Sequence, residues 1–246
     1  MSILKRIIPN NIKQEGKYLL YSILKIPYNR VGLPIDIAQW LGVNSPITFI
    51  DIGASKGEFS TALCKFYDVK KGVLIEPIIH NIDKLKEKFN DTSKFDIINV
   101  AVSDKTGQSE FFLSEDFDVL SSLFKIKDDH LSPFAISAPI KIIVNTETLD
   151  NIAKNSMLDI VDLIKIDVQG AEHLVLNSGL NILKSTKMVY TEFSYKPMYD
   201  SSSTFFDVFN ILADNNFRMV NISTAYKLKN GEIVQGDALF INNVFL

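Results

Sequence analysis

The chain has 246 residues, 46% of them hydrophobic and 22% charged, enough to bury a sizeable core without covalent staples. Its single cysteine, Cys64, excludes an internal disulfide and a Cys/His metal knot, and suits a reducing compartment. The net charge of −3 gives no reason to expect nucleic acid as a partner, and no apolar run approaches the roughly 18 residues of a membrane span.

The charge is unevenly placed. Residues 1–30 carry Lys5, Arg6, Lys13, Lys17, Lys25 and Arg30 against Glu15 alone, a surplus of +5 that leaves −8 for the remainder. The opening MSILKRIIPNN is basic and then apolar. Its apolar run is too short for a leader and no small-residue cleavage site follows, so an uncleaved, cytoplasmic protein is expected. Apolar positions 12, 19, 20, 23 and 24 trace a helical stripe over 12–25, and a short helix is expected at 34–41 with Pro34 in its first turn. Residues 1–46 thus read as an N-terminal helical extension. A basic helix of this kind is compatible with peripheral contact to an anionic membrane, with capping a pocket, or with pairing to a second subunit.

From residue 47 short apolar runs alternate with helical segments. Strands are expected at 47–51, 72–77, 95–102, 140–146, 161–167, 187–194, 217–223 and 238–242. Helices are expected at 58–67, 78–89, 148–154, 171–179 and 204–216. This alternation argues for right-handed βαβ units, hence an α/β, Rossmann-like parallel sheet with helices on both faces. The pattern pauses over 103–140, an insertion with short strands. Phe111, Phe112, Phe117, Phe124 and Phe134 within it suit either its own core or a stacking surface for an acceptor. Asn230-Gly231 signals a hairpin turn. Residues 47–246 read as one domain.

Chemistry gathers at the strand ends. The first strand runs into Asp51-Ile-Gly53-Ala54-Ser55-Lys-Gly57. Glycines permit a tight strand-to-helix turn and close ligand approach, and the next helix offers free N–H groups. The G-x-x-x-G spacing is neither a dinucleotide fingerprint nor a P-loop. An acid at 51 repels phosphate and suits the cationic methionine end of S-adenosylmethionine. Glu76-Pro77 ends the second strand, where a carboxylate can accept both hydroxyls of a ribose. Ala101 and Val102 fall where an adenine ring would lie. Together Asp51, Gly53, Ala54, Ser55, Gly57, Glu76, Pro77, Ala101 and Val102 are the expected cofactor residues. Further along, Lys165 and Asp167 share one face of their strand by its period of two. Glu172 and His173 open the following helix, and Glu192 ends the strand after it.

The run FIDIGASKGEFS, the Glu76-Pro77 pair, NVAVSD, and LIKIDVQGAE with TEF downstream resemble the FkbM-type methyltransferase family over residues 47–195, KIDVQGAE being the specific part. The resemblance implies a seven-stranded sheet with an antiparallel last strand. It also implies S-adenosylmethionine as methyl donor and O-methylation, often of a sugar hydroxyl in a glycan, glycolipid or natural product. A hydroxyl is a weak nucleophile and needs a base. Asp167, Glu172, His173 and Glu192 are the candidates, with Asp167 and Glu172 favoured as substrate-facing acids and His173 having the better intrinsic pKa. No two adjacent acids end a strand, so transfer without a metal is expected; Asp167, Glu172 and Glu192 as magnesium ligands are the alternative. Two rival readings share the sheet: an NAD-dependent oxidoreductase or epimerase, and a non-catalytic cofactor-binding module.

Overall fold

The computed structural model describes Ile37, Trp40, Leu41 and residues 46–127, 137–228 and 230–246. The expected helix at 12–25 and Phe134 lie outside these, and of the helix at 34–41 only Ile37, Trp40 and Leu41, all helical, are described.

Seven strands form the main sheet, with β1 Ile47–Ile52, β2 Val69–Ile75, β3 Phe95–Ile98, β7 Leu163–Ile166, β8 Met188–Ser194, β9 Phe217–Lys227 and β10 Ile233–Asn242 in the order β3-β2-β1-β7-β8-β10-β9. All run parallel except β10, which is antiparallel to both its neighbours. The hairpin at Asn230-Gly231 joins β9 to β10, so the last strand is reversed, as expected. The order turns outward in opposite directions from β1 and β7. Their carboxyl ends therefore diverge into loops that leave a crevice, the usual ligand position in an open α/β sheet.

Period-two alternation sends each strand's residues to two cores. Ile50, Ile52, Val73, Ile164, Ile166 and Val189 face one side. There they meet α3 Leu149–Asn155, α4 Glu172–Asn177, α5 Leu180–Lys184 and α6 Phe205–Asp214. Phe49, Leu74, Leu163, Met188 and Leu239 face the other, against α1 Glu58–Phe66 and α2 Ile79–Lys88. Half-buried Cys64 lies on α1 against this second core, and burial pushes its thiol up to about 11, the chemistry of a packing residue. Among the described residues no helix is long and apolar enough to cross a membrane.

One expected element is two. The run 95–102 leaves the sheet after Ile98 because the Asn99 amide donates to the Glu76 and Pro77 carbonyls, both at 2.9 Å, and turns the chain. Ala101–Val102 then forms β4 of a separate three-stranded sheet, β4-β6-β5, with β5 Gly107–Leu113 and β6 Ile140–Glu147. The expected strand 140–146 therefore belongs to this side sheet and not to the main one. A small core of Ile78, Ala101, Phe111 and Val144 seats it on the start of α2. The expected helix 171–179 is likewise shorter, and α5 follows it without a sequence signal having marked it.

Helix α6 begins with a capping box, in which Thr204 Oγ1 accepts from the Asp207 N–H and the Asp207 carboxylate accepts from the Thr204 N–H. Thr204→Ala removes that cap and should cost about 1 kcal/mol, lowering the thermal midpoint by about 2–4 °C in a calorimetric scan.

Candidate active site

The crevice holds an open cleft, the usual kind of place for a small-molecule site. Gly53, Ser55, Glu76, Pro77, Ala101, Val102 and Asp167 lie on its wall. The loop after β1 turns on Gly53 (φ 74°) and Gly57 (φ 79°). A Cβ at Gly53 would lie 1.9 Å from the Asp167 carbonyl oxygen, so the β1 and β7 loops touch at a point that only glycine permits. A Cβ at Gly57 would strike Phe89 and Leu85 beneath α1.

Glu76 lies beside this loop, at the end of β2. Its Oε2 accepts from the Ser55 N–H at 2.8 Å and its Oε1 from the Ile78 N–H at 3.0 Å. Burial pushes its pKa up, against the pull of those two N–H groups, Asn81 and Lys165. The carboxylate borders the cleft.

Three expected cofactor residues do not reach the cleft wall. Ala54 is buried in the α1-side core, and Gly57 serves the turn. Asp51, fully buried, points into the α1 face of the sheet. There its Oδ2 accepts from Ser60 Oγ at 2.6 Å, and its Oδ1 faces the Lys165 ammonium at 3.3 Å without hydrogen-bond alignment. The cation it was expected to meet in a ligand is a lysine of the next strand.

Strand register explains the surrounding cluster. It sets Asp51 opposite Lys165, Lys165 opposite Tyr190, and Glu192 opposite Asp237, all on the α1 face. Lys165 Nζ donates to the Gly53 carbonyl at 2.8 Å and lies 3.5 Å from Asp167 Oδ2. Burial alone would lower its pKa; Asp51 and Asp167 outweigh that and hold it above the ordinary lysine range. Burial, then Asp167, Glu172 and Asp237, push Glu192 well above the carboxylate range, with Lys165 opposing.

The four base candidates separate. Asp167 is 41% exposed at the cleft, and Glu192 sits behind it, joined through Gln169. Glu172 is 1% exposed; its Oε1 accepts from the Gly170 N–H at 3.0 Å and its Oε2 from Ser203 Oγ at 2.9 Å, so it fastens the turn before α4. His173 stacks on Phe124, ring centroids 5.8 Å apart, and burial lowers its pKa. Neither lies on the cleft wall.

The insertion supplies Phe111, one of the phenylalanines named from the sequence, and four walls that the sequence did not mark, Asp118, Val119, Ser121 and Leu123. Asp118 bridges Lys56 of the glycine loop and His80 of α2, each at 3.0 Å, and clasps the insertion over the cleft. Burial raises its pKa but is outweighed by His80 and Lys56, which leave it below the usual carboxylate range. Of the insertion phenylalanines, Phe111 is core and wall, Phe124 packs near Tyr199, and Phe117 is exposed.

Residues 51–219 match the family model described as the methyltransferase FkbM domain. The chain belongs to the FkbM methyltransferase family. It is an S-adenosylmethionine-dependent methyltransferase. It is 27% identical over 186 residues to the 2-O-methyltransferase NoeI of Sinorhizobium fredii, covering 72% of this chain and 75% of that one. Similar solved structures include Aeropyrum pernix fibrillarin with bound S-adenosylmethionine, at 9% identity and a TM-score of 0.48 over 87% of this chain and 76% of that one. TrmK from M. capricolum, with S-adenosylhomocysteine, is 11% identical with a TM-score of 0.47 over 89% of this chain and 70% of that one.

Replacing Lys165 by Met strands the Asp51 carboxylate in the interior. The FkbM chain should then lose about 3–5 kcal/mol in urea unfolding, and adding Asp51→Asn should restore part of the loss.

Proposed function

We propose that this FkbM methyltransferase O-methylates a sugar hydroxyl, with Asp167 as the group that accepts the hydroxyl proton. The observation that carries this reading is the Asp167 carboxylate, the one base candidate of the four on the cleft wall. It is held from behind by Lys165 and Gln169. The 2-O-methyltransferase relative supports transfer to an oxygen, and the family resemblance points to a sugar hydroxyl.

The cleft fits S-adenosylmethionine. The glycine loop and Asp167 border one side, Glu76 offers a carboxylate for ribose hydroxyls, and Val100, Ala101 and Val102 give an apolar edge for the adenine. When bound, the cofactor supplies an electrophilic methyl group on a sulfonium. Gly53 keeps the loop open to close approach, while Glu76 and the Ser55 turn set the nucleoside end. Asp51 acts at one remove, by holding Lys165 in place. Phe111, Val119 and Leu123 keep water from the cleft, so that reactants meet in a fixed orientation, an effect worth up to about 7–11 kcal/mol. Glu192 stands behind Asp167, its pKa pushed up by burial and by Asp167, and Asp167 is the acid at the rim. Glu172 positions the turn and His173 packs the insertion.

The acceptor is tested with S-adenosylmethionine labelled in its methyl group and a panel of methyl glycosides of hexoses, 6-deoxyhexoses and N-acetylhexosamines, with carboxylic acids and amines beside them. A base-stable methyl ether on a glycoside is expected; label confined to esters or amines overturns the reading. Asp167→Asn should cut turnover by about 10²–10⁴-fold while S-adenosylmethionine affinity, read by calorimetry, stays within about threefold. Glu76→Ala should do the reverse, weakening cofactor binding at least about tenfold, since two ribose hydroxyls lose a charged acceptor.

A further inference from the structure

Gln169 stands between two carboxylates. Its Nε2 donates one hydrogen to Asp167 Oδ1 at 2.9 Å and the other to Glu192 Oε2 at 2.8 Å. Two acid acceptors fix which end of the amide is nitrogen, because the flipped orientation would set three oxygens together. On the other end, Tyr199 Oη lies 3.0 Å from Gln169 Oε1 and 3.2 Å from the Leu120 carbonyl oxygen, its proton shared between them. Every hydrogen-bonding direction of the amide is thus directed at the acid pair or at the tyrosine that reaches the insertion.

The backbone beneath it is held against its preference. Gln169 has φ 55°, in the left-handed region, which is strained for a residue with a side chain and persists only where the surroundings enforce it. Those surroundings are on all sides. Ser122 Oγ, from the insertion, donates to the Gln169 carbonyl at 2.8 Å. Ser203 donates to the Gly170 carbonyl through its N–H at 2.9 Å and its hydroxyl at 3.1 Å, and Glu172 accepts from the Gly170 N–H. A strained residue fastened from three segments, with its side chain between two acids at a cleft, has a more specific task than closing a turn.

We propose that Gln169 is the positioning residue of the acid pair, aiming Asp167 into the cleft and tying that aim, through Tyr199, to the seating of the insertion. This rests on the reading of Asp167 as proton acceptor. Two carboxylates this close would otherwise draw together over a shared proton. The amide spaces them and gives each a donor, so that Asp167 stays turned to the cleft while Glu192 stays behind it. The insertion walls the cleft with Asp118, Val119 and Ser121, while Leu120 and Ser122 touch Tyr199 and the Gln169 carbonyl. Closing the wall and aiming the acid are therefore one arrangement. Glu192 is faced by Asp167 and Lys165 from β7, Glu172 from α4, Asp237 from β10 and the Tyr199 hydroxyl, so its titration reports on the whole cluster.

The test uses the full chain. In Gln169→Leu, with glutamate carboxyls labelled with ¹³C and the Glu192 signal assigned through Glu192→Gln, the Glu192 titration midpoint should rise by about one pH unit as its donor is lost. Calorimetry should show S-adenosylmethionine affinity within about threefold of wild type, and turnover of the glycoside methylated in the panel should fall at least about tenfold with its KM little changed. Tyr199→Phe keeps the amide but frees its far end; turnover should fall about threefold, again at constant KM. An unmoved Glu192 midpoint with wild-type turnover in Gln169→Leu overturns the proposal, and if that variant does not fold, wild-type turnover in Tyr199→Phe does so. Loss of activity in Asp167→Asn with an intact Gln169→Leu sinks the positioning role alone. Full activity in Asp167→Asn sinks the reading of Asp167 and the positioning role with it.

Discussion

Where the ends of β1 and β7 meet, Lys165 donates to the Gly53 carbonyl and faces Asp51 and Asp167. Its charge is also felt by Glu76, Glu192 and Asp237. Burying an ammonium costs several kcal/mol, and the carboxylates around it repay that only because each is fixed by its own strand. A buried ion pair of this kind is seldom more stable than a well-packed apolar pair of the same volume. Its consequence is positional. It draws the glycine loop against the Asp167 carbonyl, a contact that a side chain at residue 53 would forbid. The glycine-loop and β7 sides of the cleft are thus held together by one cation.

The main sheet was legible because its central strands are buried on both faces. ITFIDI and LIKI are buried throughout, and such strands read as unbroken apolar runs whose charged residues stand out. Asp51, Lys165 and Asp167 were conspicuous for that reason. Their partners were not. Asp51 invited a cationic ligand on electrostatic grounds, yet its cation is 114 positions downstream, paired across strands by a register that no local pattern encodes. The split at Asn99 was hidden for a similar reason, since the carbonyls that capture its amide belong to the previous strand's end. Asp118 and Ser121 carry no local mark of a cleft wall, because their place there depends on how the side sheet seats on α2. Gln169 lay in plain view inside KIDVQGAE, but a glutamine between charged residues reads as solvated until Glu192 and Tyr199 are brought to it.

The insertion does more than lengthen the chain. Its small core packs on Ile78, and its acid clasps Lys56 and His80. Its serines and carbonyls hold the turn that carries Gln169. A wall made of separate contacts to the glycine loop, to α2 and to the β7 turn cannot shift without disturbing both the cofactor side and the acid side. Water exclusion and alignment of the acid are then properties of the same packed segment.

A carboxylate is a weak base for an alcohol, and the reading of Asp167 must answer that. An alcohol oxygen releases its proton readily once it carries a third bond, so the acceptor need not deprotonate it beforehand. It needs a charged oxygen, already desolvated on one side and held within hydrogen-bond reach, that takes the proton as the new bond forms. Asp167 meets these terms through its surroundings more than through its own basicity. Lys165 and Gln169 fix its two oxygens from behind, and Glu192, whose pKa burial pushes up, is held away from the cleft by the same amide. A neutral imidazole in the same place would contribute no field toward the cationic donor, whereas a carboxylate does. That difference explains why a cleft built around a carboxylate can keep its histidine packed away under Phe124.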